Sequence, residues 1–464
     1  MAKSYAILTF GCQMNEHDSE VMAGLLEQEG YQPTEDLSQA DVILVNTCAI
    51  RENAEQRVFG RLGALKQYKL RNPGMILGMC GCMAQEKHVV ARLQEHYPWV
   101  DLVFGTNNLH RLPELLRQAQ DSRQPVYEIW SSAQDVPTAL PVHRAGKHKA
   151  WVSIMYGCDK FCTYCIVPYV RGRERSREAE EILHEVEELV QEGVKEVTLL
   201  GQKVNAYGKE FQGARPGFAQ LLRLLNGIDG LERIRFTSPY PRDFTEDVVT
   251  AMADSEKVCE HVHLPVQSGS NRVLRKMNRG YTREEYLAIV DRLRKAIPDI
   301  AITTDIIVGF PWETEQDFQE TLSLVDEVGC DGAYTFIYSP RAGTPAAKWD
   351  ERFGLPYEVR QERLERLNER IYLHARQRNE ALVGQEVEVL VDGPSKTDPE
   401  VLEGRTRSNK LVLFRGQQRL TGWFVPVRIT SAQTFQVWGE PVDLPRAQSV
   451  PVRASSKVAQ LGSA

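Results

Sequence analysis

The sequence predicts an α/β protein in three parts: an N-terminal α/β domain with a parallel sheet, a central partial (β/α)6 barrel, and a small C-terminal all-β barrel. Three observations predict it. Over the first 120 or so residues, and again from Trp151 to about Pro345, short apolar runs alternate with helical periodicities, the pattern of a parallel sheet with covering helices. After Gly384 the pattern changes to short alternating runs split by Gly- and Pro-containing turns, the pattern of a small barrel. Residues 120–150 lose periodicity and gain Pro125, Pro137 and Pro141, which reads as a connection. The expected domains are 3–120, 144–380 and 381–443.

In the first part, apolar runs at 5–10, 42–45 and 75–79 read as strands, with helical patterns at 19–29, 54–67 and 87–95. The strands lead into Gly11-Cys12, Asn46-Thr47-Cys48 and Cys80-Gly81-Cys82. Ligands of parallel sheets bind at the carboxyl ends of strands, so this topology gathers thiols that lie far apart in sequence. Cys12, Cys48 and one of Cys80 or Cys82 are therefore a candidate three-cysteine cradle for an iron–sulfur cluster. Strand alternation puts Cys80 and Cys82 on the same side and leaves the choice open.

In the second part the expected strands are 151–157, 195–201, 233–238, 261–266, 301–309 and 333–339, with helices clearest at 178–191, 283–295 and 315–327. Chemistry in such barrels sits at the C-terminal strand ends. Those ends carry Gly157-Cys158, Gly201-Gln202, Ser238-Pro239-Tyr240-Pro241, Gln267-Ser268-Gly269, Gly309-Phe310-Pro311 and Ser339-Pro340-Arg341. Glycine lets backbone approach a ligand closely, and six such ends on one face point to a cofactor and substrate pocket rather than to turns alone. Cys259 and Cys330 precede strands, on the opposite face, and read as buried apolar residues.

Residues 357–382 read as one long helix with Leu364, Leu367, Ile371 and Ala375 on one face. Runs at 387–391, 411–414, 424–429 and 435–438 then predict a small antiparallel barrel. On it Lys396, Arg405, Arg407, Lys410 and Arg415 are candidates for phosphate contacts, and Trp423 either stacks on a base or fills the core. Residues after 444 read as a tail.

The densest chemistry is Tyr156-Gly157-Cys158-Asp159-Lys160-Phe161-Cys162-Thr163-Tyr164-Cys165. Three thiolates in a Cys-x3-Cys-x2-Cys spacing can hold three corners of a 4Fe–4S cube. No fourth cysteine follows nearby, which leaves one iron open to a small molecule. Structural zinc wants four closed ligands, commonly in two pairs, and fits the spacing poorly. The spacing resembles the signature of radical S-adenosylmethionine (SAM) enzymes. That resemblance implies that the open iron takes the amino and carboxylate groups of SAM. Gly201, Gln202, Ser238 and Gln267, on neighbouring strand ends, are then the candidates for touching SAM.

Nine cysteines, six of them in motif-like contexts, read as ligands in a reducing compartment rather than as disulfides. No apolar stretch approaches the ~18 residues of a membrane span, and the chain goes straight into a strand-like run without a leader, so the expected location is the cytoplasm with no membrane partner. A net charge of −7 argues against a generally basic nucleic-acid binder. A phosphate footprint needs only a local patch, however. Three basic clusters qualify: Arg171, Arg173, Arg175 and Arg177; Arg272, Arg275, Lys276, Arg279 and Arg283; and His143, Arg144, Lys147, His148 and Lys149. Taken singly, each reads as a solvated charged face.

A wider resemblance covers nearly the whole chain. Thr9-Phe10-Gly11-Cys12-Gln13-Met14-Asn15, Val45-Asn46-Thr47-Cys48-Ala49-Ile50-Arg51 and Gly81-Cys82-Met83-Ala84-Gln85 resemble the N-terminal domain of radical SAM methylthiotransferases. The resemblance implies Cys12, Cys48 and Cys82 as ligands of an auxiliary cluster, with Cys80 a bystander. Cys165-Ile166-Val167-Pro168-Tyr169-Val170-Arg171-Gly172 and Ser238-Pro239-Tyr240-Pro241 are similar to the branch acting on isopentenylated tRNA. The C-terminal barrel occupies the place of that family's TRAM domain, an RNA-binding module. Val170, Lys203 and Trp312 depart from the family's commonest forms, which are threonine, asparagine and glycine.

What the family implies is two 4Fe–4S clusters, SAM as radical source and methyl donor, and insertion of a methylthio group at carbon 2 of isopentenyladenosine 37 in a tRNA anticodon stem–loop. It also implies a low-potential electron-donor protein; a monomer is expected. Sister enzymes that act on threonylcarbamoyladenosine, or on a ribosomal-protein aspartate, are the nearest alternative. A non-catalytic zinc-bearing RNA-binding protein is the alternative from another class.

Overall fold

The computed structural model describes residues 3–49, 52–122, 124–132, 140–144, 146–213 and 215–442, with no side-chain description at 52–54. The chain forms two compact units, one running to Arg378 and taking in Arg407–Asn409, the other made of Asn379–Thr406 and the chain from Lys410 on.

The larger unit begins with strands β1 (Ser4–Thr9), β2 (Gln32–Pro33), β3 (Val42–Thr47), β4 (Ile76–Gly81), β5 (Leu102–Phe104) and β6 (Val126–Glu128). They pair in parallel in the order β2-β1-β3-β4-β5-β6. Strands β3 and β4 are buried on both faces, as continuous apolar runs in a covered parallel sheet must be. Helices α1 (Gln13–Gln28), α2 (Glu52–Arg71), α3 (Lys87–His96) and α4 (Leu112–Ser122) connect them. Two expectations change here. Helix α1 starts directly after Cys12, not at residue 19, and residues 126–128 add an edge strand where a plain connection was expected. Three residues are too few to show a strand period, so β5 and β6 carry no sequence signal of their own.

The second part of this unit carries β7 (Lys149–Ser153), β8 (Glu196–Leu200), β9 (Arg233–Phe236), β10 (His261–His263), β11 (Ala301–Val308) and β12 (Gly332–Ile337). They form two parallel three-stranded sheets, β9-β8-β7 and β10-β11-β12. A parallel bridge between Ile234 and Val258 carries pairing from the first to the segment that leads into the second. All six expected strands are present, within a few residues of the expected bounds.

The short helix α5 (Val167–Arg171) follows the cysteine loop; α6 (Ala179–Gln191), α7 (Phe218–Asn226), α8 (Glu246–Asp254), α9 (Asn271–Lys276), α10 (Arg283–Ala296), α11 (Glu315–Val328), α12 (Pro345–Phe353) and α13 (Tyr357–Glu380) complete the unit. Helix α13 lays Leu367 and Ile371 into the barrel core, so the long amphipathic helix is part of the barrel's packing and not a mere joint.

The two halves of this unit share side chains. Ile166 and Val170, next to and within α5, pack into the core of the N-terminal sheet. Thr106 donates to the Val170 carbonyl at 2.6 Å, and Arg171 pairs with Asp18 of α1 at 2.7 Å. Arg144 reaches both Glu20 of α1 and Glu185 of α6.

The smaller unit is a closed barrel of β13 (Glu386–Pro394), β14 (Val401–Arg405), β15 (Leu411–Arg415), β16 (Phe424–Ala432) and β17 (Val437–Pro441), in the order β13-β14-β15-β17-β16. β14 was not expected, and β15 and β17 pair in parallel, so the barrel is not wholly antiparallel as expected. Leu402, Val412, Phe414, Val425, Val427 and Val437 fill it. The tail expected after 444 lies outside the described residues.

Candidate active site

The Cys-x3-Cys-x2-Cys loop leaves the end of β7 through Gly157, whose φ of +77° suits glycine. A Cβ there would lie 2.0 Å from the Arg173 carbonyl oxygen, so the close return of the chain also excludes a side chain. The Gly157 N–H donates to Gln202 Oε1 at 2.6 Å, and the Cys158 N–H donates to the Gly172 carbonyl at 3.0 Å. Cys162 is buried; Cys158 and Cys165 are half-buried. Burial pushes the Cys158 thiol up to about 11 and the Cys165 thiol up to about 12. Thiols this reluctant to ionise need a cation beside them to become thiolates, and a metal supplies that when it binds.

The second group forms at the ends of β1, β3 and β4. Cys12 caps α1. Its N–H donates to Asn15 Oδ1 at 3.3 Å, and Asn15 Nδ2 reaches across to the Thr47 carbonyl at 3.0 Å, which ties the β1 end to the β3 end. A hydrogen bond with Cys48 holds the Cys12 thiol down, to about 6, with burial opposing and Arg171 assisting. Burial raises the Cys82 thiol, while the Arg171 guanidinium works against the rise.

Cys80 and Cys82 lie in different surroundings on either side of Gly81. Its φ of +90° ends the strand, so simple alternation stops one residue before Cys82. A Cβ at Gly81 would lie 2.4 Å from Asn46 Oδ1. Cys80 instead faces Met22 Sδ at 3.5 Å inside a core, where burial raises its thiol well above the ordinary range. Among the described residues, no three His, Cys, Asp or Glu side chains converge as they do around a single metal ion.

Gly201, Gln202, Ser238 and Gln267 all lie at or beyond the C-terminal ends of β8, β9 and β10. A Cβ on Gly201 would meet Met155 Cγ at 2.6 Å. Gln202 orients the loop through Gly157. Ser238 and Gln267 take φ of +56° and +75°, left-handed conformations that cost a non-glycine residue about 1–3 kcal/mol each and cluster at functional sites.

The three departures from the family's common forms have local explanations. Val170 fills the N-terminal core. Lys203 is buried, with Nζ 2.7 Å from Glu174 and 3.3 Å from Asp243. Trp312, at φ +67°, stacks on Phe353 with Lys276 over its ring.

The basic clusters are only in part the solvated faces expected: Arg173, Arg275, Lys276, His143 and Lys147 are exposed. Arg171, Arg177 and Arg279 are buried, the first two on Asp18 and Glu185. Arg171, which the sequence places in a basic cluster, comes from the barrel half yet acts on Cys12 and Cys82. No local pattern could reveal a pairing across 153 residues. In the smaller unit Trp423 packs against the barrel core, and Arg415 pairs with Glu400 at 3.0 Å.

Comparison with known proteins follows the same division. Residues 4–105 match the Uncharacterized protein family UPF0004, 152–325 the Radical SAM superfamily, and 380–442 the TRAM domain. The chain is 56% identical over 441 residues to the tRNA-2-methylthio-N(6)-dimethylallyladenosine synthase of Geobacillus kaustophilus (strain HTA426), covering 95% of this chain and 82% of that protein. The chain belongs to the tRNA-2-methylthio-N(6)-dimethylallyladenosine synthase family. A synthase of the same name from Desulforamulus reducens is 52% identical over 441 residues, covering 95% of this chain and 96% of its own. Among solved structures, the radical S-adenosylmethionine methyltransferase TsrM from Kitasatospora setae, with cobalamin and a [4Fe-4S] cluster bound, aligns with a TM-score of 0.54 at 14% identity. That alignment covers 75% of this chain and 77% of that one, a likeness of fold. No helix among the described residues is long and apolar enough to cross a membrane.

Proposed function

We propose that this synthase-family chain is a radical SAM enzyme that inserts a methylthio group at carbon 2 of N(6)-isopentenyladenosine 37 in tRNA. The observation that carries the reading is the pair of three-cysteine groups, each at the carboxyl ends of parallel strands within one compact unit, in a chain more than half identical to synthases of that name. Cys158, Cys162 and Cys165 would hold one 4Fe–4S cluster, and Cys12, Cys48 and Cys82 a second. Bound iron–sulfur and SAM together supply radical chemistry, which an aromatic C–H bond requires because acid–base groups at neutral pH do not open it.

The chain's own residues bind, orient and exclude water. Gly157 and Gln202 set the cysteine loop, and Gly201, Gln202, Ser238 and Gln267 line the SAM side of the pocket. Arg171 sets the charge around the second group. The division of labour runs over 3–120 for the auxiliary cluster, 144–380 for the SAM chemistry and 381–443 for RNA. The substrate is the anticodon stem–loop, and its base must leave the stack to reach the strand ends. A low-potential protein supplies electrons to a monomeric enzyme in the cytoplasm. The relatives' common name favours isopentenyladenosine over the sister substrates.

Mass spectrometry of tRNA nucleosides from cells with and without this gene tests the reading. Loss of methylthio-isopentenyladenosine with accumulation of isopentenyladenosine is expected. An unchanged nucleoside profile would sink the substrate assignment.

A further inference from the structure

Buried arginines in the larger unit follow a rule. Arg171 pairs with Asp18, Arg177 with Glu185, Arg235 with Glu196, Arg360 with Asp350 and Arg363 with Glu313. Arg279, only 6% exposed, breaks it. Its Nη1 faces Cys162 Sγ at 3.5 Å and Tyr164 Oη at 3.3 Å, its Nη2 donates to the Pro265 carbonyl at 2.9 Å, and its Nε to Tyr281 Oη at 2.9 Å. Its guanidinium carbon lies 4.6 Å from the Tyr240 ring centroid and 5.3 Å from that of Tyr281. No carboxylate is among these partners. A buried cation without a counter-charge is costly, so something at this place must balance it.

The segment carrying Arg279 is fastened to the cysteine loop. Thr163 N donates to the Met277 carbonyl at 3.1 Å, Thr163 Oγ1 to the Lys276 carbonyl at 2.8 Å, and Asn278 Nδ2 to the Phe161 carbonyl at 2.9 Å. Asn278 and Gly280, on either side, take φ of +57° and +68°, which turns the chain sharply at this point. The guanidinium is thus held against one sulfur of the loop and has little freedom to turn elsewhere.

We infer that Arg279 is the charge-compensating and positioning residue for the cluster on Cys158, Cys162 and Cys165: it donates a hydrogen bond to the Cys162 sulfur and raises the reduction potential there. The inference rests on the proposed cluster-binding role of those three cysteines. Reduction adds one electron from a low-potential one-electron donor and increases the negative charge among the three thiolates by one. The guanidinium stays protonated, so no proton moves, and its fixed charge favours the reduced state. Net charge and hydrogen bonds to the sulfurs are among the factors that set such potentials.

The test is an anaerobic redox titration of the full-length, iron-loaded protein followed by electron paramagnetic resonance, reading the fraction of signal that responds to added SAM. At the poise that half-reduces the wild type, Arg279→Gln is expected to show a reduced-to-oxidised ratio about tenfold lower, equivalent to ~59 mV for one electron. Arg279→Lys keeps the charge but not the fork and should fall between the two. Unchanged potential in Arg279→Gln at normal iron content overturns the inference.

If Arg279→Gln holds no cluster, Tyr281→Phe decides. It frees the guanidinium from one anchor without altering charge and should lower the ratio by about threefold; no change overturns the inference. A wild-type protein with iron but no SAM-responsive signal overturns instead the role proposed for the three cysteines.

Discussion

The two three-cysteine groups use opposite constructions. Cys158, Cys162 and Cys165 come from one loop of eight residues, oriented by Gly157 and Gln202 and backed by Arg279. Cys12, Cys48 and Cys82 come from the ends of three strands, tied together by Asn15 and held beside an arginine from the other half of the unit. Their electrostatics differ in the same sense. In the loop, burial pushes Cys158 and Cys165 toward the neutral thiol; in the strand-end group, Cys12 is drawn toward the thiolate, first by Cys48 and further by Arg171. A local group can be placed by a single turn, whereas a distributed one depends on the whole sheet and on the neighbouring half.

The largest expected effect separates the two groups by chemistry. Alanine at Cys158, Cys162 or Cys165 should abolish SAM cleavage, read as 5′-deoxyadenosine by chromatography. Cys48→Ala should keep cleavage and lose the methylthio product. Deoxyadenosine from Cys162→Ala, or methylthio product from Cys48→Ala, breaks the comparison.

Next comes the charge that joins the halves. Arg171→Met leaves Asp18 buried and unpaired and should cost about 3–5 kcal/mol in denaturant unfolding. Pairing it with Asp18→Leu should recover most of that loss while leaving iron binding at the strand-end group impaired. A third substitution, Gly81→Ala, must adopt a φ of +90° against Asn46 Oδ1, and should cost about 1–3 kcal/mol. Because the strain sits next to Cys82, iron content should fall by one cluster's share while SAM cleavage persists.

The smallest effect is one of reactivity. The thiolate is the form that alkylates, so in metal-free protein Cys12 should react with iodoacetamide at a rate that rises as pH passes about 6. Cys158 should stay slow until near pH 11. Equal rates for both at pH 7, mapped by peptide mass spectrometry, would remove the electrostatic contrast.

How much was legible in the sequence follows the same divide. The loop group announces itself, because all its spacing information lies within one turn of chain. The strand-end group was legible as topology, since each apolar run leads into a cysteine, but the different surroundings of Cys80 and Cys82 were not. Alternation assumes a strand that continues, and Gly81 ends it by a left-handed turn that a single glycine letter does not declare. Arg171 and Arg279 sit in clusters whose pattern is that of basic faces, because charge clusters usually face water; the acceptors that bury them lie 153 and 117 residues away. In the smaller barrel, β14 was missed because Val401–Arg405 carries a glutamate and a glycine among few apolar residues, and the closure of the barrel decides its conformation.

Helix α5 carries one more consequence, for the order in which the protein is made. The N-terminal sheet borrows Ile166 and Val170 for its core. It borrows Arg171 for its cysteines. During synthesis that sheet emerges with an apolar gap, and its thiols lack their cation until the start of the second half has left the ribosome. Nascent chains halted before Ile166 should expose that gap to chaperones, and those halted after the α5 segment has cleared the exit tunnel should not. The strand-end group is thus first in the sequence yet must wait for the second half to begin before it is complete.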